Sequence, residues 1–133
     1  MRLLKIDSCN DSRMEYPFNM WELEPTNLFV KLEGWYGKKR PAELAAVLRN
    51  LDRYVDLLNA ASHARTVQAG FLHGEPSGVV AVDQKGGGGN LAETRLYTFP
   101  DDSAKVLYLI LIGDKGSQAK DIQTCREFVR NLN

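Results

Sequence analysis

The sequence predicts an α+β fold of one domain, and three observations lead to that prediction. Two helical patterns lie in the first half of the chain, two strand patterns joined by a tight turn follow, and a last helical pattern reaches the end. Strands joined by a tight turn pair antiparallel. We therefore expect an N-terminal helical hairpin, an antiparallel strand pair and a C-terminal helix in a single domain over residues 1–133.

The balance of charges limits the kinds of partner. The chain carries 17 basic and 17 acidic residues, so its formal net charge is zero. A broad nonspecific nucleic-acid surface needs many uncompensated lysines and arginines, so any RNA site has to be a local cluster. No apolar run approaches the roughly 18 residues that cross a membrane, and charges interrupt the apolar start of the chain. We expect a cytoplasmic protein with no membrane partner.

The first predicted elements are a strand and a short helix. Phe18–Glu24 alternates in character with a period of two, which is typical of a strand with one buried face, and Pro25 closes it. Residues 1–17 are either an extra strand or a leader. The Thr26 hydroxyl can accept from the first amides of a helix that ends near Gly37. The expected apolar face of this helix consists of Leu28, Phe29, Leu32 and Trp35.

The second helix has the clearest pattern in the chain. Pro41 suits its first turn, and the helix should cover Ala42–Ala61. Its apolar positions recur at a spacing of three to four residues and are Leu44, Val47, Leu48, Leu51, Val55 and Leu58. Only a few residues separate the two helices, so they should form an antiparallel hairpin with a basic connection at Lys38, Lys39 and Arg40.

Two further strands and a glycine-rich loop come next. Thr66–Leu72 and Val79–Val82 are strand candidates, and turn-forming residues lie between them. The segment Lys85–Asn90 contains four consecutive glycines. This segment lacks the Gly-Lys-Ser/Thr ending of a P-loop and opens no helix, so we interpret it as a flexible loop and not as a phosphate cradle.

The last third of the chain predicts a hairpin and a helix. Glu93–Phe99 and Lys105–Ile112 should pair across the turn Pro100–Ser103. The second of these strands is almost entirely apolar, which indicates a central strand covered on both faces. A helix should begin at Ser117 or Gln118, and its buried positions should be Ile122, Cys125, Phe128, Val129 and Leu132.

Cysteines and histidines give no sign of a metal site. Cys9 and Cys125 are far apart in the sequence, and we expect both to be free thiols. His63 and His73 have no neighbours at the spacing of zinc ligands, so we interpret them as surface or loop residues. We predict no metal and no cofactor.

Cations and tyrosines cluster around the predicted hairpin. Arg95 lies in its first strand beside Tyr97, and Lys105 begins its second strand, which carries Tyr108. Lys115 and Lys120 follow in the next turn. Such residues suit the phosphates and bases of an RNA. The structural alternatives are a surface ion pair for Arg95, solvated lysines and half-buried sheet tyrosines.

Three short motifs resemble the RelE/HigB/ParE superfamily of bacterial and phage toxins, and a phage-derived HigB-like member in particular. They are Leu91–Tyr97, Lys105–Tyr108 and Leu111–Lys115. The resemblance implies that residues 18–133 form a RelE-like domain, in which a helical hairpin packs on a small twisted antiparallel sheet with a C-terminal helix. It also implies a toxin held inactive by an antitoxin protein. RelE and HigB types cleave messenger RNA on the ribosome without a metal, and ParE types inhibit gyrase.

The resemblance also implies roles for individual residues. Arg95, Lys115 and Tyr97 would be catalytic, with Arg95 holding the scissile phosphate. The expected RNA-binding residues are Lys105, Lys120, Tyr108, Lys38, Lys39 and Arg40. The chain departs from the family pattern in two ways. Its net charge is zero, and it lacks a well-placed histidine or terminal tyrosine to act as a base. They favour an alternative, a non-nuclease protein-binding module of the same fold, and a homodimer is compatible with either function.

Overall fold

The computed structural model describes residues 20–85 and 90–132 of the chain. Its strands are β1 (Glu22–Pro25), β2 (Leu72–Gly74), β3 (Val80–Gln84), β4 (Thr94–Asp101) and β5 (Val106–Asp114). Its helices are α1 (Asn27–Lys39), α2 (Pro41–Ala60) and α3 (Gln118–Leu132). The five strands form one sheet in the order β1-β5-β4-β3-β2. The fold is therefore α+β, as the element order predicted.

The sheet is mixed, which corrects the prediction of an antiparallel sheet. β1 pairs parallel to β5, with Glu22 opposite Val106 and Pro25 opposite Leu109. The other three pairings are antiparallel. A short turn fixes the direction of a neighbouring strand, and β4 and β5 follow this rule. No such turn links β1 to β5, because both helices and three strands lie between them along the chain.

Each face of the sheet has its own core. Helices α1 and α2 cover one face, where Val47, Leu51 and Leu58 of α2 join Leu96 and Leu107 of the sheet. Helix α3 covers the opposite face, where buried Cys125 packs on Tyr97 and Ile110. Strand β5 lies between β1 and β4 and contributes to both cores, so the prediction of a central strand covered on both faces is confirmed.

A bulge in β5 connects the sheet to the start of α1. Thr98 pairs with Leu109 while Tyr97 pairs with Leu111, so Ile110 has no partner on β4. The Thr26 hydroxyl donates to the Ile110 carbonyl over 2.7 Å and accepts from the Phe29 amide over 3.0 Å. Thr26 is therefore the predicted helix cap, and it also satisfies the carbonyl of the bulge.

The apolar face of α1 differs from the predicted one. Phe29 is buried, but Leu28 and Trp35 are exposed, and Tyr36 takes the buried position that was expected for Trp35. The helix also continues past Gly37 to Lys39. Trp35 and Tyr36 lie three and four residues after Leu32, and both spacings fit one helical face. The packing partner decides which of the two is buried. Here Tyr36 packs in the core on the α2 side of the sheet.

Two predicted strand boundaries were also wrong. Thr66–Leu72 was expected to be a strand, but the chain forms a single 3-10 turn over Ala64–Thr66 and joins the sheet only at Leu72–Gly74. Pro100 and Asp101 were expected in the hairpin turn, but they belong to β4. The extra strand or leader expected over residues 1–17 and most of the glycine loop lie outside the described residues.

Candidate functional site

Strand pairing places three charged residues side by side on the face of the sheet that α3 covers. Asp83 of β3 lies opposite Arg95 of β4, and His73 of β2 lies opposite Ala81, two residues before Asp83. Directly opposed residues share a face, and so do residues two apart in a strand. His73, Asp83 and Arg95 therefore project together beside Tyr97, which is opposite Ala81.

Short distances join these residues to two glutamates. His73 Nε2 lies 2.6 Å from Asp83 Oδ2, and Arg95 Nε lies 3.5 Å from Asp83 Oδ1. Arg95 also contacts Glu75 Oε2 through Nη1 at 3.3 Å and Glu93 Oε2 through Nη2 at 3.6 Å. The contacts to Asp83 lack hydrogen-bond geometry, so the attraction is between charges. We call these five residues the Arg95 cluster.

Burial differs strongly across the Arg95 cluster. The Asp83 side chain is 1% exposed, whereas His73 is 39% exposed and Glu93 is 28% exposed. Burial raises the pKa of the Asp83 carboxyl, and the charges of Arg95 and His73 act against that rise. Burial acts to lower the pKa of Arg95, but Asp83 and the other surrounding groups outweigh it and raise that pKa. The pair of Asp83 and Arg95 thus forms the buried part of the Arg95 cluster, and His73 lies on its solvent-exposed side.

The Arg95 cluster contains the groups that metal-independent phosphodiester chemistry requires. Glu93 and Glu75 are proton acceptors, the His73 imidazole can donate or accept a proton, and Arg95 is a cation. The buried Asp83 carboxylate engages one nitrogen of His73, which orients the imidazole. Sequence reasoning missed His73, Asp83 and Glu75, because the pairing of β3 with β4 brings Asp83 to Arg95, and the pairing of β2 with β3 brings His73 and the segment after it to the same place.

The two tyrosines predicted at the site lie under α3. Tyr97 is fully buried, and its hydroxyl has no hydrogen-bond partner among the described residues. Burial raises the pKa of Tyr97. Tyr108 is half-buried, and its ring stands 5.5 Å from that of Phe128 on α3 and 6.5 Å from that of Phe99. Tyr108 matches the half-buried sheet tyrosine that was the structural alternative, whereas Tyr97 is more deeply buried than either interpretation expected.

Lys105 lies far from the other predicted cations. It precedes β5, whereas Lys115 follows β5, and the nine residues of that strand span about 30 Å. Its ammonium contacts Asp102 Oδ1 at 2.9 Å and stands 5.3 Å from the centre of the Trp21 ring. Lys105 adopts a positive φ of 56° at the end of the hairpin turn. The structure therefore does not bring Lys105 to Arg95.

The remaining predicted cations lie near the end of β5. Lys120 lines a groove between α1 and α3 together with Tyr36 and Gly113. Arg40 and Asp114 both affect the pKa of Tyr36, which places them close to that groove; burial is the main cause that raises this pKa. Lys38 and Lys39 occupy the last turn of α1, and Lys115 begins the turn that follows β5. These are the predicted cations that the fold gathers at one end of the molecule.

The turn after β5 is rigidly built. Asp114 and Ser117 cap each other, and the Ser117 hydroxyl donates to Asp121 Oδ2 over 2.6 Å. Gly113 is required here, because a Cβ at this position would overlap the Asp121 carboxylate. Burial raises the pKa of the Asp121 carboxyl, and the hydrogen bond from Ser117 opposes this. Lys115 is therefore carried on a fixed turn and not on a loose loop.

Residues 20–85 and 90–132 lack two features, a helix that could cross a membrane and a cluster of metal ligands. Among these residues, no helix has the length and apolar character needed to cross a membrane. In the same described ranges, no group of three or more histidine, cysteine, aspartate or glutamate side chains is arranged to hold a metal ion. Comparison with protein-family models and with curated proteins finds no match to the chain. Membership of the RelE/HigB/ParE superfamily therefore stays a prediction from the motifs.

Proposed function

We propose that this chain is the RelE-like toxin of a toxin–antitoxin pair and a metal-independent endoribonuclease that cleaves messenger RNA on the ribosome. One observation carries the proposal. His73 stands 2.6 Å from the buried Asp83, beside the Arg95 guanidinium, so an oriented histidine adjoins the residue that the motifs assign to the scissile phosphate. The lack of a suitable base was the main objection from the sequence, and the Arg95 cluster supplies candidate proton acceptors and a donor.

The proposed reaction follows from the exposure of each group. Arg95 exchanges its longest contact, the 3.6 Å pair with Glu93, for a phosphate oxygen. The freed Glu93 carboxylate accepts the proton of the RNA 2′-hydroxyl, whose oxygen attacks the adjacent phosphorus. The bond from phosphorus to the 5′-oxygen breaks, and protonated His73 donates its proton to that oxygen. Arg95 stabilises the charge that develops on the phosphate. Tyr97 has no exposed atom and takes no part.

The ribosome and the antitoxin are the partners of this proposal. Lys115, Lys120 and the basic connection Lys38–Arg40 would contact RNA from the end of the molecule where β5 finishes. An antitoxin needs apolar surface to bury. Helix α1 exposes Leu28, Val30 and Trp35 to 40%, 54% and 48%, which is unusual for such large side chains. We propose that the antitoxin covers this part of α1.

A second candidate is the non-nuclease protein-binding module, and one observation favours it. Arg95 contacts three carboxylates, so the Arg95 cluster has a net charge of −2 when His73 is neutral. An approaching phosphate is repelled unless Glu75 or Glu93 moves away or becomes protonated. In this second candidate, the Arg95 cluster stabilises the sheet and the toxin acts by binding a protein.

A pair of histidine variants tests the proposal. Induction of the wild-type chain in bacterial cells should arrest growth and create new 5′ ends inside translated messages. His73→Gln removes the proton donor and should lower the yield of new ends by roughly a hundredfold. His63→Gln is the matched control, because His63 also contacts an aspartate, Asp102 at 3.4 Å, but lies at the opposite end of β4.

The outcomes separate the two candidates. Arg95→Lys keeps the charge but loses the bidentate fork, so cleavage should fall while the fold is retained. If His73→Gln cleaves messages as well as the wild type does, the proposed chemistry is wrong. Growth arrest without any new 5′ end, for the wild type, would support the protein-binding module instead.

A further inference from the structure

A cleft lies on the opposite face of the sheet from the Arg95 cluster. It is about 590 Å³ in volume and separates the middle of α2 from the end of β3. Arg49 and Arg53 of α2 line one side, Lys85 lines the other, and Phe71 and Leu91 supply apolar surface. We call it the α2–β3 cleft. None of the motifs in the sequence pointed to it.

The exposed charges that line the α2–β3 cleft are positive. Arg49 and Arg53 are four residues apart on one helix, so they project from the same side about 6 Å apart. Lys85 is exposed, as are both arginines. Asp83 is the one acidic residue among the described lining residues. Its carboxylate is 1% exposed and contacts His73 and Arg95 in the Arg95 cluster, and it also interacts with the charge of Lys85, so three exposed cations face one buried carboxylate.

Hydrogen bonds hold the walls of the α2–β3 cleft in place. Asn50 Nδ2 donates to the main-chain carbonyl of Asp83 over 2.7 Å, which ties α2 to β3. Gln84 Nε2 donates to Thr94 Oγ1 over 3.0 Å, which ties β3 to β4. Glu43 accepts from the Ala92 amide over 3.0 Å, which ties the start of α2 to the segment before β4. A cleft with fixed walls loses little entropy when a ligand binds.

Cations beside an aromatic side chain are the combination that binds single-stranded nucleic acid. Exposed arginines and lysines neutralise the phosphates, and an aromatic ring accepts a base on its face. Phe71 is half-buried on the floor of the cleft. A second cleft is lined by Arg65 and Gln68, and neighbouring residues of the segment 68–72 line the two clefts. Arg65 would therefore add one cation for a polymer that extends beyond the α2–β3 cleft.

We propose that the α2–β3 cleft binds the phosphodiester backbone of single-stranded RNA. The inference rests on the proposed function for its choice of RNA, and it names where the strand is held. The sheet separates the cleft from the Arg95 cluster, so Arg49, Arg53 and Lys85 supply affinity and take no part in bond cleavage. The cations expected to bind RNA from the sequence lie elsewhere, at the end of β5 and around α1.

Fluorescence anisotropy with a short labelled 2′-O-methyl RNA tests this inference, because that probe lacks the 2′-hydroxyl needed for cleavage. The double variant Arg49→Gln/Arg53→Gln should weaken binding on the order of tenfold and should reduce the salt dependence by about 1.4 in log–log slope. The matched control is Arg126→Gln/Arg130→Gln, which removes two exposed arginines of the same spacing from α3. The control should bind as the wild type does. Circular dichroism melts confirm that both variants fold.

Each result has a definite meaning. Equal loss in the two double variants, no loss in either, or equal binding of poly-glutamate and RNA would overturn the cleft proposal. Messenger cleavage in cells is a separate readout. If the Arg49→Gln/Arg53→Gln variant loses RNA binding but the wild type never cleaves messages, the cleft proposal stands and the nuclease proposal fails. If the wild type cleaves while this variant binds RNA normally, the nuclease proposal stands and the cleft proposal fails.

Discussion

The two faces of the sheet carry different arrangements of charged side chains. On the face under α3, one guanidinium contacts the carboxylates of Asp83, Glu75 and Glu93. On the face under α2, the α2–β3 cleft presents Arg49, Arg53 and Lys85 with no exposed carboxylate among its described lining residues. The sum over the chain is zero. A chain with a net charge of zero thus carries one acidic and one basic surface. A polyanion can bind the basic surface because the two surfaces are separated.

Burial explains the difference between the faces. Arg95 is 15% exposed and Asp83 is 1% exposed, and ions removed from water to that extent are stable only with partners. Arg49 and Arg53 are exposed, so water solvates them and no partner is needed. Changes in the Arg95 cluster should therefore affect stability as well as activity, whereas changes in the cleft should affect binding alone.

The largest effect is expected for Arg95→Ala. The substitution leaves Asp83 buried without the cation that acts on it most strongly, and should lower the free energy of unfolding by about 3–5 kcal/mol. Arg49→Ala should change it by less than about 0.5 kcal/mol, because Arg49 is exposed on α2. Urea denaturation at neutral pH measures both. Equal changes in the free energy of unfolding for the two variants would contradict the explanation that burial makes the two faces differ.

A smaller effect is expected for Gly113→Ala, on the α3 side. The new methyl group would overlap the Asp121 carboxylate, so the α3 turn must shift, at a cost of about 1–3 kcal/mol. Gly34→Ala is the control, because nothing lies within 4 Å of its Cβ position on α1. That substitution should stabilise the helix by up to about 1 kcal/mol. Thermal melts of the two variants should move in opposite directions, and a shared direction would contradict this packing.

The smallest effect is expected for Tyr97→Phe. The hydroxyl is buried and has no hydrogen-bond partner in the described part of the chain, so its removal should leave stability unchanged or raise it by about 1 kcal/mol. Messenger cleavage should be unchanged, because Tyr97 is not exposed. A loss of cleavage with a native melting temperature would restore the catalytic role that the sequence motifs implied for Tyr97 and would require α3 to move.

The helices and the hairpin were predictable because their signals are local. The period of α2, the Thr26 cap and the run of apolar residues in β5 depend on neighbours within a few positions. The face of α1 was not predictable, since Trp35 and Tyr36 both fit a helical stripe and only packing placed Tyr36 in the core. The direction of β1 was decided by a partner more than 80 residues away, as the pairing of Glu22 with Val106 shows.

The candidate site also combines features that the sequence predicts with features that only the tertiary structure decides. The sequence by itself determined an α+β chain with a balanced charge, a strand that carries Arg95 and Tyr97, and a basic turn after β5. Only the tertiary structure decided that Asp83 and His73 join Arg95, that Tyr97 is covered by α3, and that Arg49, Arg53 and Lys85 meet across a cleft. The physical reason is that helical and strand patterns arise from neighbouring residues, whereas the electrostatics of a site depend on strand register and burial, which bring together residues distant in sequence.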